Sequence, residues 1–123
     1  MILRVGVDMI EVARVMQAAS RHGERFYQRF FTLAERAYCQ DHPRRLAARV
    51  AAKEAVAKAL GTGIGAIRWV EAEVVHDVQG RPLLHLHGGA AELAASLGLV
   101  QWELSLSHTE RDALAFVVMT GPS

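Results

Sequence analysis

The chain has 123 residues, of which 51% are apolar and 22% are charged, a composition that excludes intrinsic disorder and fibrous repeats for the chain as a whole. The length predicts one domain over residues 1–123, in which folding buries roughly two-thirds of the unfolded chain's surface. No apolar run approaches the roughly 20 residues of a membrane crossing and no signal-like segment is present, so we expect neither a membrane partner nor secretion. The single cysteine, Cys39, favours the reducing cytoplasm and a buried apolar role.

The basic residues are concentrated in the first part of the chain. Residues 1–49 carry nine arginines against five acidic residues, whereas the remainder carries five basic and eight acidic residues. A local basic surface favours an acidic protein or a phosphorylated small molecule as partner. A nucleic-acid partner is not expected, because such domains carry a larger overall excess than the net +1 found here and use aromatic stacking.

The first predicted element is a strand from Ile2 to Asp8, along which apolar and polar residues alternate. From Met9 the apolar residues recur at helical spacing. Asp8 followed three positions later by Glu11 is typical of a capping box, so Asp8 is predicted to begin this helix, which Gly23 interrupts.

Two further helices follow. Thr32 and Glu35 predict a second capping box, on a helix that ends near residues 41–43. The alanine-rich stretch from Leu46 to Leu60 lacks glycine and proline and is followed directly by glycine, so it predicts a strong helix with a glycine C-cap.

The remaining elements are mostly strands. A hairpin is predicted from residues 69–76 and 83–87, a short helix from 90–97, and two further strands from 101–107 and 113–120. The order β-α-α-α-β-β-α-β-β predicts an α+β fold: a single compact domain with an antiparallel sheet packed on the long alanine-rich helix.

Lysine is used in only one place. The chain has twelve arginines but two lysines, Lys53 and Lys58, and both lie beside Glu54. A compact ammonium suits phosphate chemistry, and Mg2+ takes one or two carboxylates together with water and phosphate oxygens. Asp8 and Glu54 are the candidate pair. The alternatives are a helix-capping Asp8 and an ordinary surface pair between Glu54 and Lys58, worth about 0.3 to 0.5 kcal/mol.

The glycine-rich segment that begins at Gly61-Thr62-Gly63 and continues through residues 64–65 offers unobstructed backbone amides for a phosphate or cofactor, or simply ends the helix. The Gly-Lys-Ser/Thr order of a P-loop is absent.

Histidines supply weaker candidates. His108 ends a predicted strand; its neighbour Ser107 points to the opposite face and lies in no Gly-x-Ser-x-Gly sequence, which disfavours a hydrolase. His85 and His87 share a strand face but lack a clear third ligand for zinc or nickel.

A basic stripe is also predicted. Arg14, Arg21 and Arg25 share one face if the first helix continues past Gly23, and they form either solvated surface or a dock for an acidic partner.

Four segments together resemble the holo-acyl-carrier-protein synthase family, the small 4′-phosphopantetheinyl transferases. They are Gly6-Val7-Asp8-Met9-Ile10-Glu11 with Arg14, Phe31-Thr32-Leu33-Ala34-Glu35, the stretch Arg49 to Gly63 containing Lys53-Glu54-Ala55-Val56-Ala57-Lys58, and Ser105-Leu106-Ser107-His108 with the alanine-rich final strand. The third segment is the most specific, and the resemblance spans nearly the whole chain.

The resemblance implies transfer of the 4′-phosphopantetheine group of coenzyme A to a serine of an apo acyl carrier protein, with release of 3′,5′-ADP. Fatty acid biosynthesis is the expected pathway, with polyketide and other syntheses left open as alternatives. It implies Mg2+ held by Asp8 and Glu54, with Lys58 as a further catalytic residue. The general base is left open between Glu54, a water oriented by Asp8, and neutral Lys58.

Further roles follow from the same resemblance. The coenzyme A site is expected to contain Arg49, Lys53, Lys58, Gly61, Thr62, Gly63, Pro82 and His108. The acidic carrier protein is expected to dock on Arg14, Arg21 and Arg25, although Arg25 lies one residue away from the expected position. The family is also expected to form a homotrimer with coenzyme A bound between neighbouring subunits. The alternative function is a module that binds coenzyme A or a carrier protein without catalysis.

Overall fold

The computed structural model describes residues 1–63 and 65–122, and these residues form an α+β fold, as predicted. The helices are α1 (Val12–His22), α2 (Glu24–Phe30), α3 (Leu33–Cys39), α4 (Pro43–Leu60) and α5 (Gly88–Ser96), with a short 3₁₀ helix at Trp69–Glu71. The strands are β1 (Ile2–Glu11), β2 (Ala72–His76), β3 (Pro82–Leu86), β4 (Gln101–His108) and β5 (Asp112–Gly121). None of the described helices combines the length and apolar character needed to cross a membrane.

The strands form two antiparallel sheets. The larger has the order β1-β5-β4, and the hairpin β2-β3 forms the smaller. In the larger sheet Asp8 is paired with Ala115 of β5. Strand pairing is set by contacts between distant residues, so the division into two sheets could not be inferred from local alternation.

Helix α4 packs against the larger sheet through small residues. Ala55 and Ala59 are fully or almost fully buried. A Cβ atom built on Gly6 of β1 would lie only 1.9 Å from the carbonyl oxygen of Ala55. The absence of a side chain at Gly6 therefore allows the backbones of β1 and α4 to touch, and this contact brings the next part of β1, including Asp8, beside α4.

Asp8 does not begin a helix, so that prediction is wrong. Strand β1 continues to Glu11, which occupies the N-cap of α1 without a side-chain hydrogen bond. The ladder with β5 runs from Ile2 to Glu11 and so extends past the point where apolar periodicity changes. The pairing of β1 overrides the local capping pattern.

Two other predicted helix ends are confirmed. Thr32 and Glu35 form the capping box of α3, and Gly61 ends α4 in the left-handed region at φ +82°. The first predicted helix is divided at Gly23, which has φ +59°, so α1 and α2 are separate. Cys39 is buried, as expected, and burial raises the pKa of its thiol to about 11.

Candidate active site

A cleft of about 450 Å³ lies beside β1, α1, α2 and α4. Asp8, Glu54 and Arg14 supply its charged groups, and aromatic and aliphatic side chains form the rest of its lining. We call this the carboxylate cleft. Asp8 comes from β1 and Glu54 from α4, so the contact between these two elements brings the predicted carboxylate pair to one place.

Lys58 adds a positive charge beside this cleft. Its Nζ donates to Oδ1 of Asp8 and to the carbonyl oxygen of Val7, each over 3.0 Å. Lys58 follows Glu54 by four residues, about one helical turn. The side chain of Lys58 remains about half exposed, whereas that of Asp8 is 19% exposed. The three residues predicted to be catalytic therefore lie together.

Glu54 is electrostatically coupled to Asp8. Burial raises the pKa of Glu54, the nearby Asp8 carboxylate raises it further, and Lys58 opposes both effects. A carboxylate whose ionisation is disfavoured by a neighbouring carboxylate gains stability from a bound cation. Their oxygen atoms are the donors that a small hard cation prefers.

Within the described ranges, no group of three or more His, Cys, Asp and Glu side chains is arranged to hold a metal ion. A two-carboxylate site therefore suits a cation that fills its remaining positions with water and substrate oxygens. The disfavoured zinc or nickel site at His85 and His87 gains no support. His87 instead lies 2.9 Å from Oε1 of Glu73 through its Nε2 atom.

Lys53 lies in the core of the protein rather than in a cleft. Its side chain is fully buried, and Nζ donates to Oε1 of Glu35 over 2.8 Å, to the Ala72 carbonyl over 2.8 Å and to the Trp69 carbonyl over 3.1 Å. These three acceptors use all of its N–H groups. A direct contact with coenzyme A, which the resemblance implied, does not fit this geometry. Lys53 instead ties α4 to the segment that contains Trp69 and to β2.

A second cleft, of about 240 Å³, contains three of the predicted ligand contacts. Arg49, Pro82 and His108 all line it, with Gly80 beside them. These residues come from α4, β3, β4 and the β2-β3 turn, so only the tertiary structure brings them together. We call this the basic cleft.

Sequence reasoning missed three further residues of the basic cleft. Tyr38, Arg45 and His76 also line it. The rings of Tyr38 and His76 stack with centroids 3.9 Å apart, and the guanidinium of Arg45 lies 5.6 Å from the Tyr38 ring centroid. Arg45 precedes Arg49 by four residues, so helical spacing along α4 could have identified it. The Tyr38–His76 contact joins α3 to β2, and no local sequence pattern predicts it.

The glycine segment acts as a helix stop. The amides of Gly61, Thr62 and Gly63 donate to the carbonyl oxygen of Ala57, over 3.0, 3.2 and 3.4 Å. Amides used in this way are not directed towards a phosphate, so the capping interpretation is the one that the structure supports. Ile64, also part of the predicted segment, lies outside the described residues.

The predicted arginine stripe is distributed over two helices. Arg14 and Arg21 are exposed on α1, and Arg14 lines the carboxylate cleft. Arg25 lies on α2, past the break at Gly23, and lines an adjacent groove of about 180 Å³. The same groove contains Arg29, which sequence reasoning missed. Basic side chains therefore extend from the carboxylate cleft on to α2.

Known proteins are similar to this chain in sequence and fold. Residues 4–117 match the profile of the 4′-phosphopantetheinyl transferase superfamily. The holo-[acyl-carrier-protein] synthase of Herpetosiphon aurantiacus is 51% identical over 126 residues, covering 97% of this chain and 99% of that protein. The protein of the same description from Alkalilimnicola ehrlichii is 48% identical, with 97% of each chain covered.

Solved structures agree with this similarity. The Helicobacter pylori holo-[acyl-carrier-protein] synthase in complex with coenzyme A superposes with a TM-score of 0.87 at 28% identity, covering 94% of this chain and 99% of that one. The Chronobacterium ammoniagenes ACPS-CoA complex gives a TM-score of 0.88 at 32% identity, with both chains fully covered.

Proposed function

The chain belongs to the 4′-phosphopantetheinyl transferase superfamily, and we propose that it transfers the 4′-phosphopantetheine group of coenzyme A to a serine of an apo acyl carrier protein. The observation that carries this proposal is the convergence of Asp8, Glu54 and Lys58 on one cleft. The serine oxygen forms a bond to the pantetheine-side phosphorus, the bond to the bridging oxygen breaks, 3′,5′-ADP leaves, and the serine proton passes to a base.

The carboxylate pair fits Mg2+. Asp8 and Glu54 would hold the ion, and its remaining positions would be left for water and phosphate oxygens. When bound, Mg2+ supplies positive charge that stabilises the phosphoryl oxygens of a transferred group. The contribution of Asp8 to the raised pKa of Glu54 supports this assignment, because it shows that the two carboxylates lie close enough to repel each other.

Lys58 provides a second positive charge at the same place. Its two hydrogen bonds to β1 hold Nζ beside Asp8. A fixed ammonium next to the reacting phosphate stabilises charge that develops during transfer without needing to reorient. Arg14, at the edge of the carboxylate cleft, is placed to meet the acidic carrier.

The basic cleft suits the nucleotide part of coenzyme A. Arg49 and His108 offer cationic or hydrogen-bonding groups to phosphate, and Pro82 offers an apolar surface. Arg49 and Glu54 are five residues apart on α4, which places them roughly 140° apart around the helix. Each chain therefore presents the two clefts on different sides of α4, an arrangement suited to a ligand bound between neighbouring subunits.

An apolar face of the larger sheet supports assembly into a homotrimer. Six side chains on β1 and β5 are between 37% and 65% exposed, and the strand register places them next to each other: Leu3, Val5, Val7, Met9, Leu114 and Phe116. A continuous exposed apolar patch of this kind marks an interaction surface. We assign it to subunit contacts, and the number of three follows from the family resemblance.

The carrier protein would dock on the arginines beside the carboxylate cleft. Arg14 and Arg21 on α1 and Arg25 on α2 are exposed, and the groove beside Arg25 adds Arg29 and the aromatic residues Phe26 and Phe30. A surface of this composition is complementary to an acidic protein surface that also carries apolar side chains.

The test is the intact mass of an apo acyl carrier protein after incubation with the protein, coenzyme A and Mg2+. We expect the mass gain of one phosphopantetheine group, and we expect Asp8→Ala to abolish it. Glu11→Gln is the matched control, because Glu11 is an exposed carboxylate on the same strand outside the carboxylate cleft. If coenzyme A binds but the carrier gains no mass under saturating conditions, the protein is a non-catalytic binding module.

A further inference from the structure

The basic cleft contains a buried cation that forms no ion pair among the described residues. Arg49 is 2% exposed, and no carboxylate in residues 1–63 or 65–122 lies within ion-pairing distance of it. Its Nη1 donates to the Arg45 carbonyl over 3.0 Å, whereas Nε has no partner among the described residues. Burial lowers the pKa of Arg49, but a guanidinium stays charged in proteins. An uncompensated buried charge is costly, so the cleft favours an anionic ligand.

The ring of His76, and not a carboxylate, contacts Nη2 of Arg49. Nη2 of Arg49 lies 3.0 Å from Nδ1 and 3.1 Å from Nε2 of His76. A neutral imidazole has one nitrogen that can accept a hydrogen bond from Arg49, whereas an imidazolium has none. Tyr38 stacks on the His76 ring with an angle of 4° between the planes and holds that ring in place. The observed contact therefore favours neutral His76.

The charges around His76 favour its neutral form in the free protein. Arg45 and Arg49 face it from α4, Tyr38 from α3 and His108 from β4, and Asp77 follows it in the chain. Burial and the two arginines lower the pKa of His76, and Asp77 opposes them. A phosphate in the same cleft would reverse the sign of the local field and favour the imidazolium.

We propose that His76 is a positioning residue of the basic cleft: it accepts a hydrogen bond from Arg49 in the free protein and takes up a proton when a nucleotide phosphate binds. Protonation releases Arg49 from His76, so that both residues donate to the phosphate. The inference rests on the proposed function, since the phosphate is one carried by coenzyme A. Because ligand and proton bind together, the affinity for coenzyme A strengthens as the pH falls.

The direct test is an NMR pH titration of the His76 ring, with and without coenzyme A. Loss of the signal in His76→Asn assigns it. We expect coenzyme A to raise the titration midpoint of His76 by on the order of one pH unit, and 3′-dephospho-coenzyme A shows whether the 3′-phosphate causes the change. His85 is the internal control: it is exposed on β3 and lies outside the basic cleft, so its midpoint should stay unchanged.

Affinity measurements supply the second test. His76→Asn keeps an oxygen that can accept from Arg49 but cannot titrate. Between about pH 8 and pH 6 the wild-type protein should gain up to about tenfold more affinity for coenzyme A than this variant. Protonation of the coenzyme itself affects both proteins equally. If coenzyme A binds without moving the His76 midpoint, the inference fails and the proposed function stands; if coenzyme A does not bind, both fail.

Discussion

Lys58 donates a hydrogen bond to Asp8 over 3.0 Å, although the two residues are 50 positions apart in the chain. This contact joins the last turn of α4 to strand β1 at the rim of the carboxylate cleft. It places a positive charge against the carboxylate pair Asp8 and Glu54, and the predictions about catalysis follow from it.

Lys58→Met should remove catalysis and leave folding nearly intact. The side chain of Lys58 is 53% exposed, and a surface ion pair of this kind contributes up to about 1 kcal/mol to stability. The lost charge lies beside the reacting phosphate, so we expect turnover to fall by about a hundredfold or more. Initial rates of carrier modification and urea unfolding measure the two effects. A large loss of stability with normal turnover would assign Lys58 a structural role.

Lys53→Met, in contrast to Lys58→Met, should strongly destabilise the fold. Lys53 and Glu35 form a fully buried ion pair, and removal of one partner leaves an uncompensated buried charge, which costs about 3 to 5 kcal/mol. The double variant Lys53→Met with Glu35→Gln should recover much of this loss, because Gln carries no charge and can still accept from the Val74 amide that now bonds Glu35. Urea unfolding of the single and double variants measures the free energy that is lost and the part that is recovered. Equal stability of the wild-type and Lys53→Met proteins would contradict the prediction.

Glu54→Gln should stabilise the metal-free protein and lower turnover in the presence of Mg2+. Because the pKa of Glu54 is raised by burial and by Asp8, its ionised form costs folding free energy at neutral pH, and this cost disappears as the pH falls through that pKa. The free energy of unfolding of Glu54→Gln should therefore exceed that of the wild-type protein near neutral pH, and the difference should vanish in acid. Turnover should fall by about a hundredfold or more.

Urea unfolding at several pH values measures the effect, with chelator present to exclude metal. Glu92→Gln is the control, since Glu92 is an exposed carboxylate on α5. It should change neither the free energy of unfolding nor the turnover. A destabilised Glu54→Gln protein at neutral pH would show that the charge of Glu54 is compensated in the fold.

Arg14→Glu should weaken use of the carrier protein more than binding of coenzyme A. Arg14 is exposed on α1 at the carboxylate cleft, and a reversed charge there repels an acidic partner. We expect KM for the carrier to rise about tenfold, and KM for coenzyme A to change less than about twofold. Ser20→Glu, about 120° away around α1, is the control for added negative charge. Equal changes in both KM values would place Arg14 in the coenzyme site.

Val5→Asp should dissociate the proposed trimer. Val5 is 56% exposed in the apolar face of the larger sheet, and a buried carboxylate at a subunit contact is strongly unfavourable. Light scattering coupled to size exclusion should give a monomer that has lost transferase activity. Leu33→Asp on α3, where Leu33 is 85% exposed away from that face, should remain a trimer. If the wild-type protein is a fully active monomer, the proposed trimer is wrong.

Local sequence patterns were sufficient for most of the secondary structure. Alternation identified the strands, the pair Thr32 and Glu35 identified the start of α3, and Gly61 identified the end of α4, because each of these features depends on residues a few positions apart. The unusual placement of both lysines beside Glu54 also drew attention to the chemically important part of α4.

Tertiary structure decided what each of those residues does. Asp8 has a capping pattern but lies in a strand, because β5 pairs with it. The two lysines look equivalent in sequence, yet Lys53 faces the core and Lys58 the carboxylate cleft, since they are five residues apart on one helix. The Tyr38–His76 stack depends on the approach of α3 to β2. Contacts between distant segments carry no local signal, so only the folded chain reveals these roles.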